Sequence, residues 1–153
     1  MPLFKWIAFL LYLSALSWED IRKRSLSLPL LSAGCLTGMM FFLSALMKKE
    51  ITLPNYGKIY LSGILIGALL CLISRLARDA VGKGDGLCLI TFSFWWDFGT
   101  VLSMLLGGLC FLAIFGLAAG ILRGGVRNRS YPFMPFLGAA GLLHFILMLI
   151  RPF

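Results

Sequence analysis

The chain has 153 residues, of which 60% are hydrophobic and 13% charged, and carries a formal net charge of +8. That length accommodates one domain. A soluble domain is nearer half apolar and a quarter charged, so the composition argues against a water-soluble fold and points to lipid as the solvent. The positive charge does not point to nucleic acid, because Lys and Arg stand in short clusters between long apolar runs and form no continuous basic face. Such clusters fit loops that meet an anionic membrane leaflet.

A helix needs about 20 apolar residues to cross a bilayer core, and six stretches are candidates. The first runs from about Pro2 to Ser17. It has the length of a signal peptide, but Lys5 is its only early charge and it leads straight into Trp18-Glu19-Asp20. With no small-x-small site ahead of a soluble domain, it reads as a retained span. The second runs from about Leu26 to Met47 and the third from about Ile59 to Leu76. The fourth, from about Gly86 to Phe98, is short and carries Trp95 and Trp96 near its end as interfacial anchors. The fifth runs from about Thr100 to Leu122, after a tight turn at Asp97-Phe98-Gly99. The sixth runs from about Phe133 to Ile150. The expected fold is an all-α integral membrane protein of about six transmembrane helices, one domain over residues 1–153.

Loop charges suggest an orientation. The segments after the first, third and fifth spans hold Arg22, Lys23, Arg24, Arg75, Arg78, Lys83, Arg123, Arg127 and Arg129; the other side holds Lys5, Lys48, Lys49, Lys58 and Arg151. The positive-inside rule places the first set in the cytoplasm and both chain ends outside. Small residues recur four apart at Gly34/Gly38, Gly63/Gly67 and Gly116/Gly120, a spacing that lets helices approach closely, although glycine is common in membrane helices generally. Cys35, Cys71, Cys88 and Cys110 each lie inside an apolar run without a CxxC pair, and read as small packing residues and not as metal or redox ligands.

The acidic residues are Glu19, Asp20, Glu50, Asp79, Asp85 and Asp97. Asp20 lies where the first apolar run meets a basic cluster. Asp85 lies in Val81-Gly82-Lys83-Gly84-Asp85-Gly86, ahead of another apolar run. In the topology above, both fall at the cytoplasmic face. Two close carboxylates in a low-dielectric site share one proton. The ionised partner then deprotonates a water while the protonated one donates to the carbonyl or the leaving amine. Gly82 and Gly84 let the chain turn and let a peptide backbone approach Asp85. A structural reading stands beside this at even weight: Asp20 as an interfacial charge paired with Arg22 or Arg24, and Asp85 as the N-cap of the fourth helix. His144, alone in the sixth span, reads as a packed or hydrogen-bonded residue. Asp97 reads as a loop charge, and Asp79 is a rival to Asp85 that lacks the glycine setting.

Gly82-Lys83-Gly84-Asp85 matches the GxGD signature of membrane aspartyl proteases. Within that group the chain resembles the type IV prepilin peptidases and their preflagellin relatives. Asp20-Ile21-Arg22-Lys23-Arg24 is similar to the family's first catalytic segment, and Arg129-Ser130-Tyr131-Pro132-Phe133-Met134-Pro135-Phe136-Leu137 is similar to its third motif. The resemblance implies catalytic roles for Asp20 and Asp85, an active-site loop of Gly82, Lys83 and Gly84, and a last-span motif of Arg129, Pro132 and Pro135, whose prolines read most simply as helix-start geometry. It implies an aspartic endopeptidase that needs neither metal nor cofactor. The substrate would be a prepilin-like protein with a short basic leader and a hydrophobic N-terminal helix in the bilayer, cut at the cytoplasmic interface of a bacterial or archaeal membrane. Two features depart from the family. Leu26-Ser27-Leu28-Pro29 stands where Ile-Pro-Asn is frequent, which bears on loop detail and substrate preference. The cytoplasmic region with paired CxxC motifs is missing, which implies a peptidase-only form without methylation. Two other classes compete: a small proton- or ion-coupled transporter using the same two acids, and a non-catalytic assembly component of a pilus or secretion system.

Overall fold

A computed structural model describes residues 2–47, 64–65, 67–69, 72, 83–122 and 132–150. The described residues are helical apart from short connections. The helices are α1 (Pro2–Lys23), α2 (Leu28–Met47), α3 (Lys83–Ser93), α4 (Phe98–Leu122) and α5 (Met134–Ile150). Residues 64, 65, 67–69 and 72 are also helical, but most of the expected third span, from Ile59 to Leu76, lies outside the described residues. The chain divides into two compact units, residues 1–24 with 103–153 and residues 25–102; the boundary falls within α4.

In the first unit, α1 extends six residues beyond the expected Ser17. The reason lies in its buried stripe: Trp6, Phe9, Leu13, Leu16 and Asp20 are all buried. Their spacing of three and four puts them on one helix face, so Asp20 continues the line its apolar predecessors set. The stripe packs against α5, whose inward positions are Met134, Leu137, Ala140 and Gly141. A Cβ on Gly138 would stand 3.2 Å from Ser17 Oγ, and one on Gly141 would stand 3.0 Å from Leu13 Cδ1. Trp6 stacks on His144 at 5.6 Å between ring centroids. Contacts that rise along α5 as they fall along α1 make the pair antiparallel. The other side of α5 meets α4: a Cβ on Gly108 would lie 3.2 Å from Leu137 Cα, and one on Gly107 would lie 3.1 Å from Ala140 Cβ. Small residues thus bring both neighbours close to α5, the packing expected where apolar lipid gives helices no hydrophobic reason to associate.

α1 ends at a residue with a left-handed backbone, Arg24, at φ 51°. Its N–H still donates to Asp20 C=O at 2.9 Å. This is the αL stop that glycine usually supplies.

In the second unit, α2 and α3 run parallel. A Cβ on Gly84 would meet Leu26 Cδ1 at 3.1 Å, and one on Gly38 would meet Trp95 Cδ1 at 2.8 Å. The indole of Trp95 is buried, and its Nε1–H donates to Gly34 C=O at 2.9 Å. Phe41 packs on the same ring at 5.2 Å between centroids. Gly67 also sits close to this pair, since a Cβ there would lie 2.9 Å from Gly86 C=O. The expected close approach therefore occurs at Gly34/Gly38 and Gly67. It does not occur at Gly116, where a Cβ would meet nothing within 4 Å. α3 has 11 residues, about 16 Å of helix, or roughly half a bilayer core. Its buried hydroxyls turn back on their own helix: Thr91 Oγ1 donates to Leu87 C=O and Ser93 Oγ to Leu89 C=O, a local solution for polar groups with no water to meet. Asp97 is more than a loop charge. Its Oδ2 accepts from Thr100 N–H at 3.2 Å and its Oδ1 from Thr100 Oγ–H at 2.7 Å, so it caps α4.

Candidate active site

Asp20 lies in the last turn of α1 and is 8% exposed. An anion there faces the negative end of its own helix, which is unfavourable. The compensation comes from α5. Asp20 Oδ2 accepts a hydrogen bond from the main-chain N–H of Met134, the first residue of that helix, at 3.0 Å. A helix start leaves its first N–H groups without intrahelical acceptors, and α5 disposes of them in sequence order. Phe136 and Leu137 donate back to Phe133 C=O at 3.1 and 3.2 Å. Pro135 has no N–H to place. The N–H of Met134 is left, and the buried carboxylate takes it. Among the described residues, Asp20 forms no ion pair with Arg22 or Arg24; in this turn Lys23 Nζ pairs with Glu19 Oε1 at 2.9 Å.

Asp85 is the third residue of α3 and half-buried. The sequence placed Lys83 and Gly84 in a loop and offered Asp85 as an N-cap. Instead Lys83 and Gly84 open the helix, and Asp85 follows them inside its first turn. Tertiary contact overrides the low helix propensity of the glycine here, because Gly84 packs on Leu26 where a side chain would crowd. Asp85 still meets the positive end of a helix dipole, which favours its anion. Each aspartate therefore faces a helix N-terminus, its own for Asp85 and a partner helix's for Asp20.

Of the remaining expected site residues, Pro132 and Pro135 flank the α5 start that holds Asp20. Gly82, Arg129 and the rival Asp79 lie outside the described residues. His144 is half-buried against Trp6, with Ser103 Oγ 3.4 Å from its Nδ1. The group the sequence did not single out is the amide of Met134. Its one sequence signal is the proline that follows it at the second position of a helix.

The sequence profile of the type IV leader peptidase family matches residues 7–117. That stretch holds both Asp20 and Asp85 and stops ahead of α5. No match was found among curated proteins or among solved structures.

Proposed function

The chain belongs to the type IV leader peptidase family, and from that premise we propose that it is an intramembrane aspartic endopeptidase whose working pair is Asp20 and Asp85. The observation that carries the proposal is the family match over a stretch containing both acids, one of them buried on an otherwise apolar helix face. A buried carboxylate is costly unless it is used or satisfied, and ionisable groups kept in such positions are functional by default.

The chemistry follows from sharing one proton between two carboxyl groups. The ionised one draws a proton from water as that water attacks the scissile carbonyl. The protonated one donates to the carbonyl oxygen; as the tetrahedral intermediate collapses it takes that proton back, while the other acid passes the proton gained from water to the departing amine. Peptide and water become a new carboxyl and a new amino terminus, and the pair returns to its single-proton state. The substrate is a prepilin-like protein whose hydrophobic helix lies in the bilayer and whose short basic leader stays at the cytoplasmic side.

A membrane setting is supported by α2 and α4, each long and apolar enough to cross a bilayer. A soluble core helix would bury most of its surface, whereas the most apolar stretches of α2 and α4 are only 17% and 11% buried. Leu109, Leu117 and Ile121 of α4 and Met40, Leu43 and Met47 of α2 point outward, an apolar exterior that suits lipid.

The test replaces Asp20 or Asp85 singly by Asn and follows a co-expressed prepilin by mass. Each variant is expected to insert and accumulate normally yet leave the leader attached. Normal processing by either variant would sink the proposal. Ion flux through reconstituted vesicles that depends on the two acids, without cleavage, would identify a transporter instead.

A further inference from the structure

We infer that the main-chain N–H of Met134 is the positioning group for Asp20, and that Pro135 keeps it the single donor at the start of α5. The inference rests on Asp20 being one of the working pair.

Asp20 Oδ2 takes the Met134 N–H at 3.0 Å, and Oδ1 takes no hydrogen bond from a described residue. The terminal torsion of a carboxylate is broad and two-fold, so an untethered group presents either oxygen over a range of angles. One fixed donor removes that freedom. It divides the carboxylate into a held oxygen and a presented one. A second donor nearby would undo the division by competing for Oδ1. The residue that would supply it is the second of the helix, which is Pro135 and has no N–H. The next two amides are already committed to Phe133 C=O. The motif Pro132-Phe133-Met134-Pro135-Phe136 thus does more than start a helix: it offers one amide to the carboxylate and withholds the rest.

Catalytic groups lose much of their effect when misplaced by an ångström, so removing this donor should lower turnover and leave substrate binding nearly untouched. Met134→Pro removes the N–H at a position where proline suits a helix, but it also deletes a fully buried side chain. Met134→Ala deletes that side chain and keeps the N–H, and is the reference. With the full chain and a prepilin substrate in bilayer discs, kcat of Met134→Pro is expected about tenfold or more below that of Met134→Ala, the scale of a charge-assisted hydrogen bond, with KM within about twofold. Equal kcat in the two variants overturns the inference.

Asp20→Asn separates this result from the function itself, because the amide keeps an acceptor for Met134 while losing the acid. If Asp20→Asn still cleaves, the functional reading falls and takes this one with it. If Asp20→Asn is inactive and the two Met134 variants turn over alike, only the positioning role is lost. Should Met134→Pro fail to fold, hydrogen exchange at the Met134 amide decides. It is expected about tenfold faster in Asp20→Ala than in the unaltered protein or Asp20→Asn; no difference overturns the inference.

Discussion

Arg24 occupies a backbone region that a side chain enters at a cost. Its φ of 51° puts Cβ near the following carbonyl, a strain of about 1 kcal/mol or somewhat more for a residue other than glycine. The position ends α1 four residues after Asp20, and strain of this kind tends to persist where function needs a fixed chain direction. Arg24→Gly is therefore expected to raise the stability of the detergent-solubilised protein by roughly 0.5–1 kcal/mol in thermal unfolding. A fall in stability would show that the arginine side chain contributes more than its backbone loses. The composition showed a basic cluster here. It did not show that one member serves as the helix stop, because the left-handed conformation leaves its usual mark as glycine or asparagine.

Among the elements, glycine positions divide into those that carry contact and those that do not. Trp95 is fixed from two sides, by its bond to Gly34 C=O and by the Phe41 ring, so it cannot yield to a methyl group at Gly38. Gly38→Ala is expected to destabilise the fold by about 1–3 kcal/mol, the usual range for overpacking. Gly116→Ala on α4 meets open space and should stabilise by about 0.5–1 kcal/mol through better helix propensity. Thermal unfolding of the two variants side by side checks both signs, and a loss at Gly116 equal to that at Gly38 would contradict this packing. Much at this scale was legible in the sequence. Apolar runs located α2, α4 and α5 to within a few residues. Two helix boundaries were not legible. The first span was expected to end at about Ser17, ahead of the charged residues that begin at Glu19, yet the buried phase of α1 continues to Asp20. α3 was expected to start at about Gly86, yet it begins at Lys83, with Gly84 packed on Leu26. The capping of α5 by Asp20 was also hidden, because its partners stand 114 residues apart and only the fold brings them together. The proposed pairing of Asp20 with Asp85 came from their shared depth in the expected topology, from the glycine setting of Asp85 and chiefly from the family motifs.

For the molecule as a whole, the proposed lipid exterior has a chemical signature in its cysteines. Cys110 is exposed on α4 and Cys88 is buried in α3. In intact membranes Cys110 should resist a charged maleimide, because lipid excludes the reagent and keeps the thiol protonated, and Cys88 should resist it until the protein unfolds. Ready modification of Cys110 by the charged reagent would place that face of α4 in water. The bond between Asp20 and Met134 also has a consequence in time. The ribosome makes Asp20 first and the amide that holds it 114 residues later. A nascent chain already carries both aspartates while α5 is still unmade, and until then the Asp20 carboxylate cannot take up the geometry described here. A helix made 114 residues after Asp20 completes that aspartate's setting, so under the proposed function cleavage has to wait until α5 has been made.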